Sequence, residues 1–220
     1  MLNRTVYCED ALNWLQAKGI TAGTSLVASL PDFSEFPSFT LEEWKNWFTS
    51  AALLILNTCP DDGVTVFYQS DIKHQGFWVD KSYLCQKAAE QAGQQLLWHK
   101  IVCRAPAGTT TFGRPSYSHL LCFSRNLQLD PGQSTPDVLA EMGDKAWERG
   151  MGLNACLMVA RFIKDQTMAR TIINPFCGLG SMLAAANAFE LEAIGIERSP
   201  KRAEKARHLR ISSDLKNWLD

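Results

Sequence analysis

Short apolar runs alternate along this chain with longer stretches in which apolar positions recur every three or four residues. The short runs read as strands: Arg4–Cys8, Ser25–Ser29, Val64–Gln69, Leu96–Cys103, Ser116–Ser124, Thr171–Asn174 and Ala193–Glu197. The longer ones read as helices over Ala11–Lys18, Thr40–Asn57, Asp80–Ala92, Pro136–Arg149, Leu153–Lys164, Gly180–Phe189 and Pro200–Leu209. Local chemistry marks several ends. Thr40-Leu-Glu-Glu43 is a capping box, Gly93 closes the Asp80 helix, and Pro200 takes the first position of the last helix. Leu96–Cys103 and Ser116–Ser124 flank a Gly/Thr/Pro loop, Arg104–Pro115, and can pair as an antiparallel hairpin. The alternation predicts an α/β fold, a mainly parallel sheet covered by helices on both faces, with the hairpin at one edge.

The chain has 220 residues, 46% hydrophobic and 20% charged, which supports a packed core and excludes a disordered or fibrous chain. We expect one domain over 1–220, with 1–125 and 136–220 joined by the polar stretch Asn126–Thr135. The net charge of −1 means that a grip on nucleic acid must come from a local patch. Lys201, Arg202, Lys205, Arg207 and Arg210 form the best such patch, although a run of this kind is usually a solvated face. The seven cysteines are scattered and never C-x-x-C, so we expect a reducing cytoplasm, no disulfide framework and no metal site. No apolar run has the length of a membrane span, about 18 residues, and no membrane association is expected.

The sharpest local feature is Thr171-Ile-Ile-Asn-Pro-Phe-Cys-Gly-Leu-Gly-Ser181. A strand ends there, and a turn carrying Gly178 and Gly180 opens a helix of small residues. Glycines let the backbone approach a ligand closely. The next strand ends on Glu197, an acid placed to accept hydrogen bonds from both hydroxyls of a ribose. The third glycine of the dinucleotide fingerprint is missing, which disfavours NAD or FAD.

Asn174-Pro-Phe-Cys-Gly-Leu-Gly-Ser181 resembles the D-P-F-x-G-x-G-[ST] loop of the AdoMet-dependent amino methyltransferases that act on nucleic-acid bases. The resemblance implies S-adenosyl-L-methionine as cofactor, held by Asn174, Phe176, Gly178, Gly180 and Glu197. Asn174 stands where the family has Asp; an amide can hydrogen-bond the methionine moiety but cannot pair with its ammonium charge. Arg4–Leu15 looks like the family's third strand and following helix, with Asp10 matching the acid that contacts the adenine amino group. Ser25–Phe33 resembles the fourth strand with its catalytic [DNS]-[PIL]-P-[YFW] turn; Ser29, Leu30 and Pro31 fit, and Asp32 replaces the aromatic. This order implies a circularly permuted Rossmann-like class I methyltransferase sheet. Its strands would run Arg4–Cys8, Ala193–Glu197, Thr171–Asn174, Ser25–Ser29, Val64–Gln69, then the hairpin. The helix from Leu153 would hold the methionine tail, with Asn154 near its start; a plain cap-and-glycine helix start is the other reading.

At the turn, Ser29 and the Leu30 carbonyl are candidate acceptors for an exocyclic amine, with Phe33 or Phe36 for stacking. Asp32, with Glu35 as second choice, could instead take a proton from a ring nitrogen such as guanine N1 or uracil N3. The bland alternative for Asp32-Phe-Ser-Glu35 is a solvated loop with an Asx turn. Lys73 and His74 fall on the same edge, and Arg104, Arg114, Tyr117 and His119 frame a loop that could hold a phosphate and stack a base. The expected function is methylation of a base nitrogen in RNA, tRNA foremost, because no separate recognition insert is present and folded RNA can be read by shape. The alternatives are a DNA N6-adenine or N4-cytosine methylase, and an inactive AdoMet-fold subunit that binds RNA or a partner. A monomer or homodimer is expected.

Overall fold

A computed structural model describes residues 3–148 and 150–211. Arg149 and the tail 212–220 lie outside the described residues, including the end of one predicted helix and most of the segment after the last. In chain order the elements are β1 (Arg4–Tyr7), α1 (Ala11–Ala17), β2 (Thr24–Ala28), α2 (Leu41–Thr58), β3 (Thr65–Gln69), β4 (Ile72–His74), β5 (Phe77–Val79) and α3 (Lys81–Gln91). There follow β6 (Gln95–Cys103), β7 (Tyr117–Ser124), β8 (Val138–Leu139), α4 (Leu153–Gln166), β9 (Thr171–Pro175), α5 (Ser181–Ala188), β10 (Glu192–Ile196) and α6 (Pro200–His208).

Eight strands form one sheet in the order β1-β10-β9-β2-β3-β7-β6-β8. β1, β10, β9, β2 and β3 are parallel neighbours, and β7 pairs antiparallel with both β3 and β6. The first strand of the chain thus pairs with one of the last, Tyr7 opposite Ile196. Side chains alternate across the pleat. Val27, Val66, Leu120 and Cys122 face a core closed by α4, α5 and α6, while Leu26, Ala28, Phe67, Leu121 and Phe123 face one closed by α1, α2 and α3. Burial on both faces explains why the central strands read as continuous apolar runs.

Three segments depart from the sequence reading. The helix expected over Pro136–Arg149 does not form over its described residues. Val138 and Leu139 pair parallel with Ile101 and Val102, and Ile101 N–H donates to the Asp137 carbonyl at 2.8 Å. Further on, the carbonyls of Met142 and Asp144 accept from the first amides of α4, Asn154 at 3.0 Å and Leu153 at 2.8 Å. Gly143, at φ +74°, makes that approach possible, since a Cβ there would lie 2.5 Å from the Asn154 side chain. Edge pairing and helix capping therefore override local helical periodicity. The hairpin consequently does not end the sheet, because β8 covers β6. A second small hairpin, β4–β5, was not anticipated; it turns on Gln75 and Gly76, both at positive φ. Among the described residues no helix is long and apolar enough to cross a membrane.

Candidate active site

The chain leaves β9 towards β10 on one side and leaves β2 towards β3 on the other, so the carboxyl ends of β9 and β2 flank the point where strand order reverses. A cavity of about 350 Å³ opens there. Its walls come from four strand ends: Asp10 after β1, Ser29-Leu30-Pro31 after β2, Asn174 to Ser181 around the β9–α5 turn, and Glu197 after β10. The β9–α5 turn is tight because Phe176, Gly178 and Gly180 all take positive φ, at 60°, 57° and 86°. Gly180 also packs on α6, where a Cβ would meet Ala206 at 3.0 Å.

Glu197 is buried, and both of its oxygens are held by neighbours. Oε2 accepts from Gly178 N–H at 3.1 Å, and Oε1 accepts from Ser199 N–H at 2.7 Å and Arg202 Nε at 3.0 Å. The Arg202 guanidinium lies 5.3 Å from the Trp147 ring, and both residues line the cavity. Asn174 is buried, and its Nδ2 donates to the Val27 carbonyl, tying β9 to β2 and leaving Oδ1 as the acceptor it can offer. An ionised aspartate could not make that bond. Asp10 caps α1, its Oδ1 accepting from Leu12 and Asn13 N–H at 3.1 Å. Burial, with Glu197 adding to it, pushes the Cys177 thiol up to about 12, so it stays neutral in the cavity wall.

Phe176 of the glycine loop joins Phe36 and Trp47 in an aromatic wall, with ring centroids 4.4 Å apart for Phe36–Trp47 and 6.3 Å for Trp47–Phe176. Of the two rings expected at the turn, Phe36 lines the cavity, while Phe33 packs on Trp44 and His74. Trp44 is core.

Asp32 is placed differently from the expectation. It does not line the large cavity but a smaller one of about 70 Å³ that shares Ser29, Leu30, Glu35 and Gly150 with it. Its Oδ1 accepts from Phe33 N–H at 2.9 Å and Lys81 Nζ at 3.4 Å, and its Oδ2 from Arg114 Nη2 at 2.7 Å. Asp32 and Glu35 form a reciprocal cap for the 3-10 turn Phe33–Glu35, with Asp32 N–H donating to Glu35 Oε1 at 3.0 Å. Burial pulls the Lys81 ammonium below the ordinary lysine range, and Asp32 opposes that. Both oxygens of the Asp32 carboxylate are therefore engaged by cations of the protein itself.

Asn154 is also placed differently. Its side chain donates to the Glu141 carbonyl at 3.3 Å and does not line the cavity; the α4 amides are taken by the chain's own carbonyls, so Met151 and Gly150 reach the cavity instead. Of the basic helix, Arg202 and Arg207 turn inward, the latter donating to the Val6 carbonyl at 3.0 Å. Sequence reasoning missed Trp147 and Lys81. Trp147 lies in the misread helix, and nothing in the spacing marks Lys81 as buried.

No family model and no curated protein sequence matches the chain. Solved structures do. A protein of Thermus thermophilus described as a candidate DNA modification methylase, complexed with S-adenosyl-L-methionine, superposes with a TM-score of 0.70 at 16% identity, over 92% of this chain and 91% of that one. The PvuII cytosine-N4-specific DNA methyltransferase gives 0.68 at 13% identity, over 99% and 91%. The M1.HpyAVI–SAM complex gives 0.61 at 14%, over 93% and 97%. The chain has their fold. At these identities the likeness is one of architecture, and it matches the mainly parallel sheet with an antiparallel pair described above.

Proposed function

We propose that this chain is an AdoMet-dependent methyltransferase acting on an exocyclic amine of a DNA base. The observation that carries the reading is the convergence of the Asn174–Ser181 loop, Glu197, Asp10 and the Ser29-Leu30-Pro31 turn on one cavity. Its volume of about 350 Å³ suits a small-molecule ligand. The glycine loop, the buried Glu197 acceptor and the uncharged aromatic wall suit a nucleoside with an amino-acid tail. The bound cofactor supplies an electrophilic methyl on a sulfonium. Glu197 would hold the ribose through Oε2, Asp10 the adenine edge, and Asn174 Oδ1 with Phe176, Gly178 and Gly180 the methionine side. The order of the strands fits the permuted arrangement of the resembled family, in which the N-terminal segment completes the C-terminal cofactor site.

Transfer is an in-line displacement, so the protein's task is alignment. Ser29 Oγ and the Leu30 carbonyl would accept from the amine and orient it, and Phe36 and Trp47 would stack the base. Asp32 holds the turn through Lys81 and Arg114. This favours an amine, whose proton can leave to solvent, over a protonated ring nitrogen that needs a base. DNA also takes the place of RNA as the preferred substrate: the Thermus thermophilus and PvuII structures described above are named for DNA, and they support it as the first substrate to try. Tritiated AdoMet offered with duplex DNA, single-stranded DNA, total tRNA and rRNA tests the reading. Label in DNA supports it, label only in RNA overturns the substrate, and AdoMet binding with no label in any pool overturns the enzyme.

A further inference from the structure

Two loops rise at the active-site edge. β3 and β6 both run towards it, so the β4–β5 hairpin follows β3 there and the Arg104–Ser116 loop follows β6; the small cavity is lined by Ser70 and Lys81, on either side of the hairpin, and by Arg104 and Arg114 of the loop. The hairpin is rooted in the core by Ile72 and Val79, yet it exposes Phe77 at 78% and Trp78 at 54%. Neighbouring strand positions point to opposite faces, so both faces of this two-stranded blade carry an aromatic ring. Trp78 has the Lys73 ammonium 4.6 Å from its ring, and His74, opposite Phe77, packs edge-on against Phe33 of the catalytic turn at 5.2 Å. The other loop carries Phe112, exposed at 92%.

Cations gather between the loops. Arg104, Arg114 and Lys145 line the small cavity, and burial together with the Arg104 charge pulls the Lys145 ammonium below its ordinary range. Asp32, Glu35 and Glu148 line the same cavity, so with Lys81 four cations face three carboxylates, and Arg114 is paired with Asp32. Gln69, 1% exposed, lines the same cavity with its Nε2 buried and unpartnered. A buried donor of this kind costs stability until an acceptor arrives. Exposed rings, adjacent cations and a waiting amide donor are what an unpaired polynucleotide satisfies: base faces for stacking, phosphates, and a base-edge acceptor.

We propose that the β4–β5 hairpin and the Arg104–Ser116 loop are the docking surface for an unpaired strand of the DNA substrate, with Phe77 and Trp78 stacking bases beside the target and Arg104, Arg114 and Lys145 holding its phosphates. This rests on the nucleic-acid reading above. It gives the chain a recognition device on its own sheet edge, in place of a separate insert.

The test is fluorescence anisotropy with a labelled mixed-sequence oligodeoxynucleotide, single-stranded and annealed, and with the RNA of the same sequence, at fixed salt. Tighter binding of the single strand than of the duplex is expected, with quenching of tryptophan emission that Trp78→Phe reduces while retaining affinity. Phe77→Ala with Trp78→Ala should weaken single-strand binding tenfold or more, since each lost stack is worth a sizeable factor. AdoMet affinity, measured by calorimetry on the same sample, should be unchanged and shows that the variant is folded. Wild-type affinity in that double variant overturns the proposal, as does a preference for the duplex or for RNA. The two readings fail separately. Methyl transfer to DNA with KM unmoved by the variant removes the docking surface and leaves the activity. Hairpin-dependent strand binding without transfer to any pool does the reverse.

Discussion

Arg202 closes on Glu197 with two nitrogens, Nε at 3.0 Å and Nη2 at 2.8 Å, both on Oε1. That oxygen also accepts from Ser199 N–H, whereas Oε2 accepts from Gly178 N–H. Oε2 is thus the oxygen with capacity left for a ribose hydroxyl, and the carboxylate is oriented before any ligand arrives. Glu197→Ala should weaken AdoMet binding about tenfold or more, about 1.4 kcal/mol. Glu197→Gln should lose nearly as much, because its NH₂ would face an N–H donor whichever way the amide turns. Calorimetry on both variants checks this, and unchanged affinity in either removes Glu197 from the cofactor site.

The glycine loop and the acid after β10 were legible because each is a local signal at a strand end; the neighbourhood of β1 and β10, distant in the chain, followed only from the family resemblance. The 3-10 turn that carries Asp32 was legible as a turn, but the partners of Asp32 were not. Lys81 lies 49 positions away and Arg114 lies 82, and no periodicity links them. The segment before α4 was misread for a related reason. Its helical pattern is genuine, yet Asp137, Met142 and Asp144 supply carbonyls that β6 and α4 need. Asn154 followed that error, since its side chain donates to the Glu141 carbonyl in the same segment.

Ser29 and Asp32 separate the two chemistries considered for the turn. With an amine as target, Ser29→Ala should lower kcat tenfold or more while AdoMet affinity holds, because one acceptor for the reacting group is gone. Asp32→Asn should instead act on stability. It leaves Lys81, 3% exposed, without its anion, a loss of about 3–5 kcal/mol if nothing compensates. Measured well below its lowered Tm, the variant should keep its rate within about tenfold, and adding Lys81→Met should recover much of the Tm. A rate loss of about 10²–10⁴ without a Tm change would make Asp32 the proton acceptor after all.

Gly180 combines a left-handed backbone with contact to α6. At φ +86° any L side chain is strained by about 1–2 kcal/mol, and a Cβ would press on Ala206 at 3.0 Å. Gly180→Ala should lower stability by more than that strain and loosen the packing of α6 on α5. Gly178, at φ +57°, has a hypothetical Cβ 3.4 Å from the Trp147 indole nitrogen, an ordinary contact. Gly178→Ala should therefore show the backbone strain alone. Chemical denaturation of the two variants, read as the midpoint shift at constant slope, distinguishes them.

The fourth expectation concerns pH. His99 Nε2 and His119 Nδ1 are 2.9 Å apart, and His119 Nε2 lies 3.0 Å from Asp71 Oδ2. Asp71 accepts, so neutral His119 carries its proton on Nε2 and its Nδ1 must accept; His99 Nε2 is then the donor. Burial lowers the His99 pKa, the neighbouring His119 lowers it further, and Asp80 and Asp71 pull the other way. A histidine whose folded value lies below its unfolded one binds fewer protons in the native state, so stability rises with pH. Its contribution is fully present above the unfolded value of about 6.5 and is lost as pH falls through the lower folded value. His99→Gln keeps an N–H donor for His119 and cannot titrate. The Tm difference, wild type minus variant, should therefore shrink between about pH 7 and about pH 5. A difference that stays constant assigns the pH dependence to other groups, and one that widens reverses the sign of the shift.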